Sequence, residues 1–158
     1  MMVVICSLCS EWIFLNKTGI IADNIQHMKA SELRIGNWIS YNSGMNIVLG
    51  VQSPSPQKQP HLSDKYLVEI NPPDSFFVPI DDIKPTELTP DILEKCGFEK
   101  EGDTYKVVDK NLDYCFRISF TGSGYFSPNT IAKHPILYLH QLQNLYWCLC
   151  GEELTITF

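Results

Sequence analysis

Between His134 and Gly151 the chain runs for 18 residues without an Asp, Glu, Lys or Arg. Within that stretch Tyr138, Leu139, Leu142, Leu145, Tyr146 and Leu149 recur at helical spacing and fall on one side. Pro135 suits a first helical position and Gly151 a left-handed terminator, so the pattern predicts a helix over 135–150. A helix facing water carries charges on its outer face, but this one offers His140, Gln143, Asn144 and Trp147. Two arrangements suit such a face. Either the first half of the chain covers it, or it is a surface for a protein partner or for self-association, where a tryptophan is a favoured anchor.

The rest of the chain divides around residue 84. From Leu33 to Ile83 the apolar residues come in short runs broken by turn residues, which predicts strands. Leu33 and Ile35 alternate, and Trp38 to Tyr41, Asn46 to Val51, Lys65 to Ile70 and Phe76 to Ile80 form further runs. Asn42-Ser43-Gly44 reads as a hairpin turn, because Asn and Gly tolerate positive φ. Residues 52–64, rich in proline, read as an exposed loop. Several short strands in sequence predict a small SH3-like β-barrel or a curled sheet over 28–84, since closure protects strand edges.

Residues 84–90, KPTELTP, form a joint. After it, Thr89 as N-cap, Pro90 at the first helical position, Gly97 at the left-handed end and Phe98 packing back on Leu93 predict a short helix. Turns at Glu101-Gly102-Asp103 and Asp109-Lys110-Asn111 then join three antiparallel strands. In the third, Tyr114, Phe116, Ile118 and Phe120 alternate with Cys115, Arg117 and Ser119, which predicts an aromatic core face. With the long helix and a last strand over Leu154 to Phe158, residues 85–158 form an α-β-β-β-α-β unit, and the fold class is α+β.

Residues 1–27 differ in character from the remainder of the chain. No Lys or Arg precedes Lys17, no small-residue cleavage site succeeds the apolar run, and Met2 to Leu15 is short for a membrane span and carries Glu11. The expectation is that the functional protein opens at Met28, that 1–27 stands outside the folded core, and that no membrane is involved.

Motifs that carry chemistry are scarce. The six cysteines at 6, 9, 96, 115, 148 and 150 are expected to be reduced thiols; Cys6-x-x-Cys9 lacks the second pair a structural zinc wants, and Cys148 and Cys150 diverge around a helix. His27, His61, His134 and His140 have no metal-ligand spacing, and His61 with Asp64 sits in the proline-rich loop. Gly122-Ser123-Gly124 lacks the lysine and helix of a phosphate loop. Tyr125 and Phe126 beside it could stack a ligand, although a buried anchor is the simpler role. No catalytic, metal or cofactor residue is assigned. The 12 basic and 18 acidic side chains give −6, which argues against a broad nucleic-acid surface, because that affinity comes from cations meeting phosphates.

The segments MKASELRIGNWISYN, IDDIKPTELTPDILEKCGFEKEGDTY and YLHQLQNLYWCLCGEEL resemble a family of small uncharacterised proteins encoded by phages, prophages and mobile elements of anaerobic gut bacteria. The resemblance implies a start at the equivalent of Met28 and a place in the bacterial host cytoplasm, and it brings no catalytic residue with it. Two functions are therefore expected. The first is a non-enzymatic protein-interaction module, an accessory protein of a phage or mobile element with a partner surface at His140, Gln143, Asn144 and Trp147. The alternative is a small hydrolase or nucleotide-processing enzyme whose acidic groups, among them Asp81, Asp82 and Glu99, converge only in three dimensions.

Overall fold

The computed structural model describes residues 28–55, 65–71, 74–109, 114–121, 124–127 and 135–157. The expectations for the 1–27 extension with Cys6 and Cys9, for His61, Asp64 and His134, and for Gly122-Ser123 lie outside those residues. The fold is α+β, with two antiparallel four-stranded sheets and two α-helices among the described residues.

The first sheet is a meander of β1 (Trp38–Tyr41), β2 (Gly44–Gln52), β3 (Leu67–Asn71) and β4 (Phe76–Pro79). Its core is Ile39, Val48, Val68, Ile70 and Val78, joined by Met28, Ile80 and Ile83 from the flanking segments. The β1–β2 turn has positive φ at Asn42 (47°) and Ser43 (64°), while Gly44 already pairs with Tyr41. Two consecutive left-handed residues make the turn whose twist matches a hairpin, so the strained position falls on Ser43 and not on Gly44.

Two expectations for this half are corrected. Of the SH3-like barrel or curled sheet expected, the closed barrel is ruled out, because the sheet is open with β1 and β4 at opposite ends. The outer edge of β1 is occupied otherwise: Ser40 and Lys84 exchange backbone hydrogen bonds, each of 2.9 Å. Leu33 to Ile35 is not a strand either. A 3-10 turn over Ala30–Glu32 precedes it, and a tight turn closes as Asn37 N–H donates to the Arg34 carbonyl at 3.1 Å, with Gly36 at φ 90°. That φ is the one such a turn demands of its third residue, and glycine meets it without a Cβ clash.

The second half opens with α1 (Pro90–Lys95). Thr89 Oγ1 accepts from Ile92 N–H, Gly97 lies at φ 79°, and the N–H groups of Gly97 and Phe98 donate to the carbonyls of Glu94 and Leu93. These two hydrogen bonds satisfy the last carbonyls of the helix and bring Phe98 back over Leu93, both buried in one core. The second sheet has the order β5 (Glu99–Glu101), β6 (Thr104–Asp109), β7 (Tyr114–Phe120), β8 (Tyr125–Phe126). The fourth strand, β8, falls where the sequence suggested only a loop. Helix α2 (Leu139–Cys150) packs Leu139, Leu142 and Tyr146 on Phe116, Ile118 and Leu93 to form the second core. Burying each such side chain stabilises by about 2 kcal/mol.

Helix α2 starts four residues later than its proline implied. Residues 136–138 are extended because Ile136 exchanges backbone bonds with Tyr125, at 2.7 and 3.1 Å, while Gln141 Oε1 accepts the N–H groups of Leu137 and Tyr138. The last strand expected at 154–158 does not form among the described residues. Leu154 is buried in the core and Thr157 N–H donates to the Lys95 carbonyl at 3.0 Å, so this tail docks on the end of α1 and joins no sheet.

The joint at 84–90 is structured. Lys84 bonds to Ser40 of the first sheet; the Thr86 carbonyl accepts from Leu139 N–H and Leu88 N–H donates to the Leu137 carbonyl, at 2.9 and 2.8 Å. Trp38 and Met45 of the first sheet also pack against the second core.

Candidate functional site

The outer face of α2 is met by residues 32–38. Gln143 is 1% exposed; its Oε1 accepts from Trp38 N–H at 2.8 Å and its Nε2 donates to the Gly36 carbonyl at 3.0 Å. Asn144 Nδ2 donates to the Glu32 carbonyl, and Asn144 Oδ1 accepts from Asn37 Nδ2 and Arg34 Nε. Each amide therefore acts like a peptide group, completing backbone that the turn leaves unpaired. Arg34 ties the rim: its guanidinium makes two bonds to the Glu153 carboxylate, at 2.6 and 3.0 Å, and lies 4.7 Å from the Trp147 ring.

His140 is 1% exposed as well, stacked on the Tyr138 ring, and neither ring nitrogen has a hydrogen-bond partner among the described residues. Glu32 Oε2 lies 3.8 Å from Nε2, beyond hydrogen-bonding reach. Burial pushes the His140 pKa down to about 4, so the ring is neutral at neutral pH. Of the four residues expected as a partner surface, His140 and Gln143 are thus internal, Asn144 is half-buried, and Trp147 alone keeps 44% exposure. The face lacks charges because the first half covers it.

The acidic groups of the alternative function are not brought together. Asp81 pairs with Lys65 at 2.8 Å, Asp82 sits beside it in a 3-10 turn, and Glu99 lies on β5. No group of three His, Cys, Asp or Glu that could hold a metal occurs among the described residues. Cys96 is buried, and its thiol is pushed up to about 12 by burial, which leaves it unreactive at neutral pH.

A concave site lies elsewhere, on the second sheet. Two adjoining hollows of about 320 Å³ each share Leu88, Phe120 and Tyr125. The first is completed by Glu87, Gly124 and residues 136–138, the second by Thr89, Pro90, Lys100, Asp103 and Tyr105. Tyr125 sets the floor, its ring 5.8 Å from Tyr105 and 5.3 Å from Phe120 in tilted contacts. Lys100 Nζ stands 5.9 Å from the Tyr105 ring. The alternation in β7 carries Phe116 and Ile118 into the core but leaves Phe120 51% exposed, because the core ends before the strand does. Leu137 is exposed beside it at 39%.

Gly124 makes the close approach possible. Its φ is 140°, and a Cβ there would stand 2.5 Å from the Cβ of Pro135 and 2.9 Å from Leu137 Cδ2. The Tyr125 phenol is held above its usual pKa by burial and by Tyr105, and the Tyr138 phenol by burial and by the Glu87 and Glu32 carboxylates. These phenols remain protonated and neutral at neutral pH. The groove offers rings, aliphatic walls and a few rim charges, a composition suited to binding. Of its residues the sequence reading singled out Tyr125 as a possible stacking ring; Glu87, Leu88 and Leu137 carried no pattern that marked them.

Comparison with protein-family models, with characterised proteins and with solved structures finds no match to this chain. No described helix is long and apolar enough to cross a membrane.

Proposed function

We propose that this protein is a non-enzymatic protein-interaction module that takes an apolar segment of a partner protein in the groove around Phe120 and Tyr125. The observation that carries the reading is the exposure of Phe120 and Leu137 over a floor of buried aromatics. Large apolar side chains kept in water at a concave site are characteristic of recognition surfaces. The lining charges are divided between the hollows, Glu87 on the first and Lys100 and Asp103 on the second, which suits selection of a sequence better than proton transfer. The family resemblance points to an accessory protein of a phage or mobile element working in the bacterial cytoplasm, with a host or phage protein as the partner.

Selection of peptides from a displayed heptamer library on the full chain tests this. Enriched peptides are expected to carry apolar residues and to bind Phe120→Ala at least about tenfold more weakly, as for loss of an interface anchor. No enrichment, or binding indifferent to Phe120, would overturn it.

A further inference from the structure

The connector between the sheets has one unused edge, and it borders the groove. Along 84–88 the even-numbered residues turn their backbone to one side: Lys84 to Ser40, Thr86 to Leu139 and Leu88 to Leu137. In an extended chain successive residues present their N–H and C=O to opposite sides. The backbone of Pro85, Glu87 and Thr89 therefore points the other way. Thr89 is extended, at φ −112° and ψ 162°, and Ile83 likewise at φ −94° and ψ 151°. Neither the N–H of Glu87 nor that of Thr89 has a hydrogen-bond partner among the described residues, and both residues are exposed.

We infer that this edge binds an extended peptide segment as an added antiparallel strand, with a basic residue of the segment opposite Glu87. The inference rests on the proposed interaction function and specifies how the partner lies. The free groups set the pairing. The N–H and C=O of Glu87 exchange two bonds with the residue opposite, the Thr89 N–H adds a third, and the Pro85 carbonyl accepts a fourth. Pro85 and Pro90 bracket the edge. Neither has an N–H to offer, so the ladder stays short and the edge does not template longer sheets. The charge of the segment is set by Glu87, the one charged residue among the described residues that line the first hollow. Among the described residues no cation pairs with its carboxylate. The basic residue opposite Glu87 shares the face of Tyr138 and Phe120, and the residues flanking it present apolar side chains to the other face, that of the exposed Leu137.

The test uses the full chain and the peptide acetyl-Val-Lys-Val-Lys-Val-amide, monitored by backbone amide shifts and hydrogen exchange. The unmodified peptide is expected to slow exchange at the amides of Glu87 and Thr89. N-methylation of its lysines, whose N–H groups face Glu87, is expected to weaken binding at least about tenfold through loss of paired bonds. N-methylation of its valines, whose N–H groups face away, is expected to change binding less than about threefold. Glu87→Lys is expected to weaken binding by about threefold, the size of an exposed charge pair. Equal effects of the two methylation patterns, or no protection at Glu87 and Thr89, overturn the added strand. If the peptides still lose affinity for Phe120→Ala in that case, the groove reading stands without it. If Phe120→Ala leaves binding unchanged, that reading fails separately.

Discussion

The two faces of α2 are buried to similar depth by opposite means. Toward the second sheet it presents Leu139, Leu142 and Tyr146, which need only be close-packed. Toward the first half it presents His140, Gln143 and Asn144, and here every polar atom of the two amides is matched to a named backbone or side-chain group. The apolar face supplies stability and tolerates adjustment. The amide face fixes which turn sits against the helix, since a shifted turn would leave buried donors unpaired. His140 is the exception on that face, its ring nitrogens sealed in without a hydrogen-bond partner among the described residues.

Truncation on the apolar side is expected to have the largest effect. Leu142→Ala should lower unfolding free energy by about 4 kcal/mol, within the range for a buried leucine leaving a cavity, measured by urea denaturation. A loss below about 1 kcal/mol would mean that this face is loosely packed.

Acid should act on the other face. The unfolded chain protonates His140 near 6.5, whereas the folded chain resists until about 4. The stabilisation is complete above pH 6.5, is lost progressively as pH falls from there to about 4, and is constant below. Over that window it amounts to about 3 kcal/mol. The groups that face the ring are Glu32 and the Tyr138 phenol. The His140→Leu variant should melt with a shallower dependence on pH between 6.5 and 4; an unchanged slope would show that the ring takes up its proton without penalty.

The amides come last. Gln143→Ala strands the Trp38 N–H and the Gly36 carbonyl and should destabilise by about 2 kcal/mol, with faster exchange at the Trp38 amide. If the amide of Trp38 exchanges as slowly in the variant as in the parent, the turn is held by other contacts and the contrast between the faces weakens.

How much the sequence discloses depends on the range of the interactions concerned. Helix α1 was legible from Thr89 to Phe98 because its caps bond within a few residues. The start of α2 was not, since Pro135 signals a helix locally while Tyr125, ten residues upstream, claims the backbone of Ile136. Of the barrel or curled sheet expected for the first half, the closed barrel is not formed, and the contact that meets the edge of β1, Lys84 with Ser40, comes from beyond the meander where strand patterning gives no sign of it. For the site, alternation in β7 identified the face of Phe120 correctly but could not mark where the core stops. Glu87, Leu88 and Leu137 become neighbours only through the pairing of 86–88 with 137–139. The missing charge in α2 left two readings of its outer face, cover by the first half or a partner surface, and a local pattern cannot choose between them.

The stretch from Lys84 to Leu88 ties the first sheet to the segment that leads into α2. Melting the first sheet removes the partner of Lys84; unravelling the start of α2 and the residues before it removes those of Thr86 and Leu88. With the amides of α2 gripping the turn at 34–37 from the other side, neither half can open while the other keeps all its bonds. The two cores are separate in space, yet heat or denaturant should meet them as one cooperative unit with a single transition.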